Sequence, residues 1–231
     1  MLVARASGET IAYTVMDDNG GLGYPSSSSG MFSVPQYSDP GGMPLTKVTL
    51  SVIGHSVGGS TTVDNEAAFA GTATAVIGTE IKVSGPMPVI GSQIIVRADP
   101  VNSASGPVAA DNEPGGGGPD FIGTDSLGVI GTGATDTKSA SRVSAFDIAP
   151  YEGAGFATFS FDTLTNTSGT FLSTGFGANK VVFSDIRSDY TATVTYEFVP
   201  EPSSLLILGL GCIGLAAMRA IASHQRRPNA G

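Results

Sequence analysis

The sequence predicts an all-β chain: a β-sandwich or jelly-roll-like domain followed by a single C-terminal transmembrane helix. Three observations lead to this prediction. Glycine supplies 32 of the 231 residues and only 13% of residues are charged, which is typical of a chain with many turns and strands. Short runs alternate between apolar and polar residues at the period of a strand. No window before residue 199 combines helical spacing with helix start and stop signals.

We expect about eight to ten strands, separated by turn signals rich in glycine. In the clearest run, Tyr190 and the four alternate apolar residues that follow it form one face, and threonines and Glu197 form the other. Residues 24–44 are rich in proline, glycine and serine and predict a loop or an edge segment. Residues 100–119 predict a long linker-like loop, because fixing four consecutive glycines in one conformation costs much conformational entropy. The predicted strands lie at residues 9–15, 47–53, 60–63, 71–85, 92–99, 155–164 and 190–198.

The N-terminal segment predicts a domain boundary. Residues 1–6 contain Ala4-Arg5-Ala6, which has the A-x-A form that signal peptidase reads, but no apolar run precedes it. Our hypothesis is that residues 1–6 are the remnant of a truncated signal peptide and that Met1 is an internal methionine. The β-domain would then comprise residues 7–198 and the anchor segment residues 199–231. The alternative is a tail that inserts after synthesis and leaves the body in the cytoplasm.

Charge and cysteine content exclude several classes of function. All 20 acidic residues but only eight of the 11 basic residues precede residue 203, and such an acidic body does not suit a nucleic-acid partner. Cys212 is the one cysteine, so an intrachain disulfide and a cysteine-rich metal site are excluded. The sequence predicts no cofactor.

The C-terminal tail predicts a membrane span. Residues 203–218 carry no charge, and the run continues to Ala222 with only Arg219 interrupting it. About 20 residues at 1.5 Å each cross the hydrocarbon core of a bilayer. A buried core helix is the alternative. The predicted anchor residues are Leu205, Leu206, Ile207, Leu208, Leu210, Ile213 and Leu215, and the predicted basic stop residues are Arg219, Arg226 and Arg227.

Ser56 raises the question of a serine hydrolase, because Gly54-His55-Ser56-Val57-Gly58 is a literal G-x-S-x-G. The nucleophile elbow needs a helix directly after the serine, whereas glycines and β-branched residues follow here. A triad also needs a histidine that approaches the hydroxyl. His55 is the adjacent residue and His224 lies beyond the predicted span. We therefore interpret Ser56 as part of a glycine-flanked strand end or bulge, and we predict no catalytic residue.

Five oxygen-bearing residues surround the glycine-rich loop, and calcium prefers such ligands. The spacing of an EF-hand is absent. We interpret the segment as a solvated acidic loop and predict no metal, while a calcium site in residues 111–125 stays open. The five residues are Asp111, Asn112, Glu113, Asp120 and Asp125.

The stretch from Val199 to Arg227 resembles the PEP-CTERM sorting signal. The resemblance rests on Pro200-Glu201-Pro202, the hydrophobic span directly after it and the basic end. It implies recognition by exosortase, a membrane-embedded cysteine-type transpeptidase that cuts near the tripeptide, in Gram-negative bacteria that produce exopolysaccharide. The prolines agree with this, because they hold the segment extended as a protease-like site requires. The chain departs from the family in splitting its basic cluster.

The body is similar to the choice-of-anchor E domain, in residues 32–67 and 190–202. That resemblance implies no biochemical activity and carries no site residues. We therefore expect a non-enzymatic protein that is held transiently in the inner membrane and then reaches the cell surface or the outside. Its role would be structural or adhesive, with exosortase, the membrane and exopolysaccharide as partners.

Three rival functions remain open. A carbohydrate-active enzyme would need paired carboxylates that face each other in a concave pocket. A carbohydrate-binding module would need an exposed aromatic platform, which only tyrosine and phenylalanine could supply here because tryptophan is absent. The third rival is the hydrolase at Ser56.

Overall fold

The computed structural model describes residues 2–7, 10–17, 24–25, 28–38, 43–86, 93–112, 120–165, 168–172, 179–183 and 186–199. Within these ranges the chain is built almost wholly of strands, so the prediction of an all-β chain is confirmed. The strands are β1 (Leu2–Ser7), β2 (Thr10–Asp17), β3 (Tyr24–Pro25), β4 (Ser29–Pro35), β5 (Leu45–Val57), β6 (Ser60–Asn65), β7 (Gly71–Ser84), β8 (Ile95–Ala98), β9 (Val101–Val108), β10 (Ser126–Ile130), β11 (Ala134–Arg142), β12 (Phe156–Thr165), β13 (Ser168–Leu172), β14 (Asn179–Phe183) and β15 (Arg187–Phe198).

The first large sheet has the order β1-β2-β15-β5-β11, and β3 also pairs with β15. All of these pairs are antiparallel. The two central strands alternate as the sequence predicts. Val48, Leu50 and Val52 of β5 are fully buried on one face, and alternate residues of β15 beside them are buried in the same way.

The second large sheet is organised around β7, which has 14 residues and contacts neighbours along its whole length. The second half of β7 pairs with β12 on one side and β8 on the other, and β4 pairs with the outer edge of β12. The first half pairs with β13 and β9. Strands β8 and β9 therefore run along one edge of β7 in succession, interrupted only at Asp99-Pro100.

A third, three-stranded sheet has the order β10-β6-β14. The same three chain segments are neighbours in the first sheet as β11, β5 and β15, so the small sheet repeats that order beyond a break. Gly58 and Gly59 lie at this break with φ of 80° and 76°, a region that favours glycine. Main-chain hydrogen bonds link Gly131 to both of them, and a side chain on Gly131 would overlap the Gly58 carbonyl.

Among the described residues, two hydrophobic cores lie between the layers. The larger core is enclosed by the first large sheet and by β4, β12, β8 and the second half of β7. It contains stacked aromatic rings such as those of Phe32 and Phe159, whose centroids are 5.1 Å apart. The smaller is formed by Val63, Ala73, Ala75 and Val108, with Leu127 and Val129 packed against it. The chain is thus a two-layer arrangement with a large core at one end and a small core at the other.

Several local predictions need correction. The predicted loop at 100–119 contains a strand, Val101–Val108, although its composition is that of a loop. Among the described strands β9 pairs with β7 alone, so it is an edge strand. An edge strand accommodates Pro107, because one side of the strand needs no N–H donors. A short α-helix, Ala145–Ile148, and a 3-10 turn, Ala149–Tyr151, also occur where no helix was expected.

The described ranges hold fifteen strands, more than the eight to ten expected, because long strands are divided at glycine and proline breaks. Residues Leu2–Ser7 form a strand paired with β2. Their interpretation as the remnant of a signal peptide stays a prediction. Residues 200–231 lie outside the described ranges, and with them the predicted transmembrane helix. In the part of the chain that is described, no helix has the length and hydrophobicity to cross a membrane.

Candidate functional site

Ser56 lies inside β5, one residue before the strand ends, as the interpretation of a strand end predicts. Its side chain is only 2% exposed, and its hydroxyl donates a 2.7 Å hydrogen bond to the main-chain carbonyl of Pro100. A glycine turn follows the strand, so no helix begins where a nucleophile elbow requires one. In this geometry the hydroxyl joins the two layers.

His55 is directed to the opposite face of the strand and contacts Asp189 there. Its Nδ1 lies 3.2 Å from Oδ2 of Asp189, and both side chains are about two-fifths exposed. Neighbouring residues in a strand point to opposite faces, which separates this pair from the hydroxyl of Ser56. The histidine, the aspartate and the serine therefore do not form a triad.

A shallow depression of about 490 Å³ lies on the outer face of β7, β8 and β12. Two carboxylates, Glu80 and Asp162, line it, which is the arrangement that a carbohydrate-active enzyme would need. Each is paired with a cation, however: Arg97 contacts Glu80, and Lys82 lies 3.5 Å from Asp162. Each of the two carboxylates is therefore already engaged by a neighbouring cation.

The acidic loop is only partly as predicted. Asp120 and Asp125 come together, but their third partner is Asp64 of β6, and one carboxylate oxygen of each lies within 4.8 Å of those of the other two. Asp111 donates its main-chain N–H to the carbonyl of Ala67. Glu113 lies outside the described residues.

Two of these carboxylates are buried and bonded to the loops around them. Asp64 and Asp125 are each 3% exposed. Oδ2 of Asp64 accepts hydrogen bonds from the main-chain N–H groups of Asp120 and Phe121, at 3.1 and 3.2 Å. The two oxygens of Asp125 accept from the main chain and side chain of Asn112, each at 3.0 Å. The cluster thus connects three separate chain segments.

Sequence reasoning missed Asp64 because no spacing connects it to the loop. Asp64 lies 56 residues before Asp120 and directly after the predicted strand at residues 60–63. The available signal was the pattern of β6 itself: Val63 faces the small core, so the carboxylate beside it faces the other way. Only the folded chain shows that loop residues then cover it.

The predicted sorting segment begins where the sheet ends. Phe198 is the last residue of β15 and stacks on Tyr37 at 5.5 Å, and Glu197 pairs with Lys47 at 2.8 Å. Val199 still donates its N–H to the carbonyl of Pro44, at 3.3 Å. The next residue in the sequence is Pro200, and a proline has no N–H to donate. The remaining predicted site residues, from Pro200 through Arg227, lie outside the described ranges, and their individual roles stay predictions.

Comparison with solved structures finds only weak likeness. The chain shares 14% identity with infectious bursal virus-derived T=1 particles, over 84% of this chain and 37% of that one, with a TM-score of 0.20. It shares 14% with a structure of infectious bursal disease virus Gx strain, over 86% and 43%, with a TM-score of 0.14. The chain therefore spans well under half the length of these viral chains, and likeness at this level carries no argument about function.

A search of curated proteins finds no match to the sequence. One family model does match, and its match begins at Phe198, the last residue of β15. Residues 198–220 correspond to the PEP-CTERM protein-sorting motif. The chain accordingly carries the sorting signal of an exported protein, and that signal is processed by exosortase, a membrane enzyme.

Proposed function

We propose that this protein is a structural or adhesive component of the cell surface or extracellular matrix, delivered there by exosortase and associated with exopolysaccharide. The single observation that carries the proposal is the sorting motif at residues 198–220, which begins at the end of β15, where the chain is bonded to the folded domain up to Val199. Processing beyond that residue would release the β-domain without breaking its sheet.

The tail is proposed to act first as a membrane anchor. The apolar run from residue 203 to residue 222, interrupted only by Arg219, is long enough to span a bilayer, and Arg226 and Arg227 would hold its end on the cytoplasmic side. Pro200 and Pro202 would keep the intervening peptide extended, so that a helix does not run from the domain into the membrane. The anchor would be temporary, and the final location of the body would be the surface or the surrounding matrix.

The body is proposed to be a choice-of-anchor E-like domain without enzymatic activity. Its resemblance in residues 32–67 and 190–202 supports this assignment. The non-enzymatic role is supported by Ser56, whose hydroxyl is buried in a contact with Pro100. It is also supported by Glu80 and Asp162, each of which is paired with a cation.

Two cell fractions test the proposal: the membrane and the extracellular polysaccharide. The full chain is expressed in a Gram-negative host that makes exopolysaccharide, with exosortase present or deleted. We expect most of the protein in the polysaccharide fraction when exosortase is present, and in the membrane fraction when it is deleted. Ser56→Ala is the matched control and should distribute like the wild type.

A different distribution would contradict the proposal. If the protein reached the medium but did not sediment with the polysaccharide, the matrix role would be wrong while the sorting role stood. If Ser56→Ala alone abolished a surface activity, or if Ser56 reacted with a fluorophosphonate probe, the enzymatic alternative would be correct.

A further inference from the structure

We propose that Asp64, Asp120 and Asp125 bind one calcium ion. The site lies on the side of β6 that faces away from the small core, beneath the loop that carries Asp120 and Phe121. The proposal stands independently of the sorting function, because it concerns the folded domain alone.

The decisive observation is an oxygen of Asp64 that has no partner. The Asp64 side chain is 97% buried, and its Oδ1 accepts no hydrogen bond from any described residue. A buried polar atom without a partner is costly, and an ionised oxygen without a cation more so. One oxygen of the same carboxylate lies within 4.8 Å of one oxygen each of Asp120 and Asp125, so the unpartnered oxygen belongs to a carboxylate of the cluster.

The charges around the cluster also support a bound cation. Three carboxylates whose oxygens lie within 4.8 Å of one another repel strongly when all are ionised. Five ion pairs are found among the described residues, and none of them includes Asp64, Asp120 or Asp125. A divalent cation would neutralise most of this charge and would satisfy the free oxygen.

The ligand atoms select a hard cation. All three side chains offer oxygen, whereas zinc favours nitrogen and sulfur ligands. Calcium accepts irregular arrangements of six to eight oxygens, while magnesium demands a near-ideal octahedron. Here the carboxylates come from a strand and from two points of one loop, and Asp125 is already bonded through both oxygens to Asn112. An irregular site of this kind suits calcium.

Bound calcium would tie the loop to the small core. The Asp125 side chain accepts from Asn112, and its main-chain carbonyl accepts a hydrogen bond from the N–H of Asn65, at 3.1 Å. Asn65 in turn donates to the carbonyls of Phe69 and Ala109. The ion would therefore stabilise three chain segments at once, at the end of the molecule where the core is smallest.

The test is calcium binding by the full chain, purified in detergent and freed of metal with EDTA. Isothermal titration with CaCl₂ should show one ion per chain, with a dissociation constant of about 10⁻⁴–10⁻³ M as in other extracellular modules. Added calcium should raise the melting temperature by several degrees. Asp120→Asn, at an exposed position that keeps its acceptor oxygen for Ile122, should weaken binding about tenfold or more without unfolding the chain.

Three controls make the result specific. Glu152→Gln removes an exposed carboxylate that lies outside the cluster, and it should bind calcium as the wild type does. MgCl₂ should bind at least about tenfold more weakly than CaCl₂. Lys180 pairs with Asp64 in the strand register, so Lys180→Met tests whether this lysine serves as the counter-ion instead. Under the calcium proposal, that variant binds calcium at least as tightly as the wild type.

The proposal is overturned if the wild type shows no saturable calcium binding and no rise in melting temperature. It is also overturned if Asp120→Asn and Glu152→Gln bind calcium equally well, since binding would then follow net charge and not the cluster. Loss of binding in Asp64→Asn counts as support only if the variant keeps the wild-type circular dichroism spectrum. Asp120→Asn supplies the answer if it does not.

Discussion

The hydroxyl of Ser56 donates a 2.7 Å hydrogen bond to the main-chain carbonyl of Pro100, which joins the two layers where β8 gives way to β9. The same carbonyl accepts a longer bond, 3.3 Å, from the N–H of Thr79. The N–H of Asp99 is held by Asp136 of the opposite layer, at 2.9 Å. The break in the long edge strand is therefore fixed by contacts from β5, β7 and β11.

Replacing Ser56 by alanine should lower stability and leave surface function unchanged. The variant loses one buried hydrogen bond and leaves the Pro100 carbonyl with only its longer contact, which costs about 1 kcal/mol of unfolding free energy. Urea unfolding of wild type and variant measures this difference. A loss of surface function at unchanged stability would show that the hydroxyl acts chemically.

Replacing Asp136 by asparagine should make stability less dependent on acid pH. The pKa of Asp136 is lowered, chiefly by the hydrogen bond from the main-chain N–H of Asp99 and further by Lys138. A lowered pKa means that this carboxylate stabilises the fold above about pH 4 and that the stabilisation is lost as the pH falls through the folded-state value.

The measurement for Asp136 is the difference in unfolding free energy between wild type and Asp136→Asn, from about pH 7 to pH 2. We expect up to about 1 kcal/mol at neutral pH, because the side chain is partly exposed, and a smaller difference in acid. Burial raises the pKa of Asp99 and has the opposite effect on acid stability, so only the difference between the two proteins is informative. A difference that grows on acidification would contradict the assignment.

Tyr151 and Tyr196 provide a matched pair of buried hydroxyls. The Tyr196 hydroxyl donates to the carbonyl of Pro35 at 3.0 Å, whereas that of Tyr151 has no partner among the described residues. Tyr196→Phe should therefore cost about 1 kcal/mol, while Tyr151→Phe should be neutral or stabilising. Thermal unfolding at pH 7 measures both, and equal losses would contradict the hydrogen-bond assignment.

At alkaline pH the same two variants should differ from the wild type in how much unfolding free energy they lose. Burial raises the pKa of both tyrosines above the ordinary value. The unfolded chain therefore ionises first, and stability is lost as the pH rises above about 10. Each phenylalanine variant should lose less stability than the wild type between about pH 9 and pH 11. An identical loss in all three proteins would mean that other groups govern alkaline unfolding.

The sequence predicts the strands of the large core well because their apolar residues alternate over long runs. In β15 the alternation from Tyr190 to Phe198 matches the buried face residue by residue. The strand β9 was missed because serine, asparagine, glycine and proline give it no such pattern. Its place is set by the main-chain bonds it makes with the first half of β7. Propensity is a weak guide for a strand of this kind.

The candidate calcium site was not predicted from the sequence, which we interpreted as a solvated acidic loop with a calcium site in residues 111–125 left open. Asp120 and Asp125 were among the five oxygen-bearing residues named around the loop, but Asp64 joins them only through tertiary structure. A buried carboxylate cannot be recognised from spacing, because its burial depends on which loop covers the strand. The sorting motif was recognisable from sequence, since the order of tripeptide, apolar span and basic end needs no folded context, and the family match at residues 198–220 supports it.

The mass of the mature protein recovered from cells tests the central claim most directly. We predict that the wild type, in cells with exosortase, lacks Leu205–Gly231, and that Glu201→Ala or deletion of exosortase restores the mass of the tail. Ser56→Ala should be cut as the wild type is. Recovery of the wild-type surface protein with its tail intact, or the same shortened mass in cells without exosortase, would contradict the account.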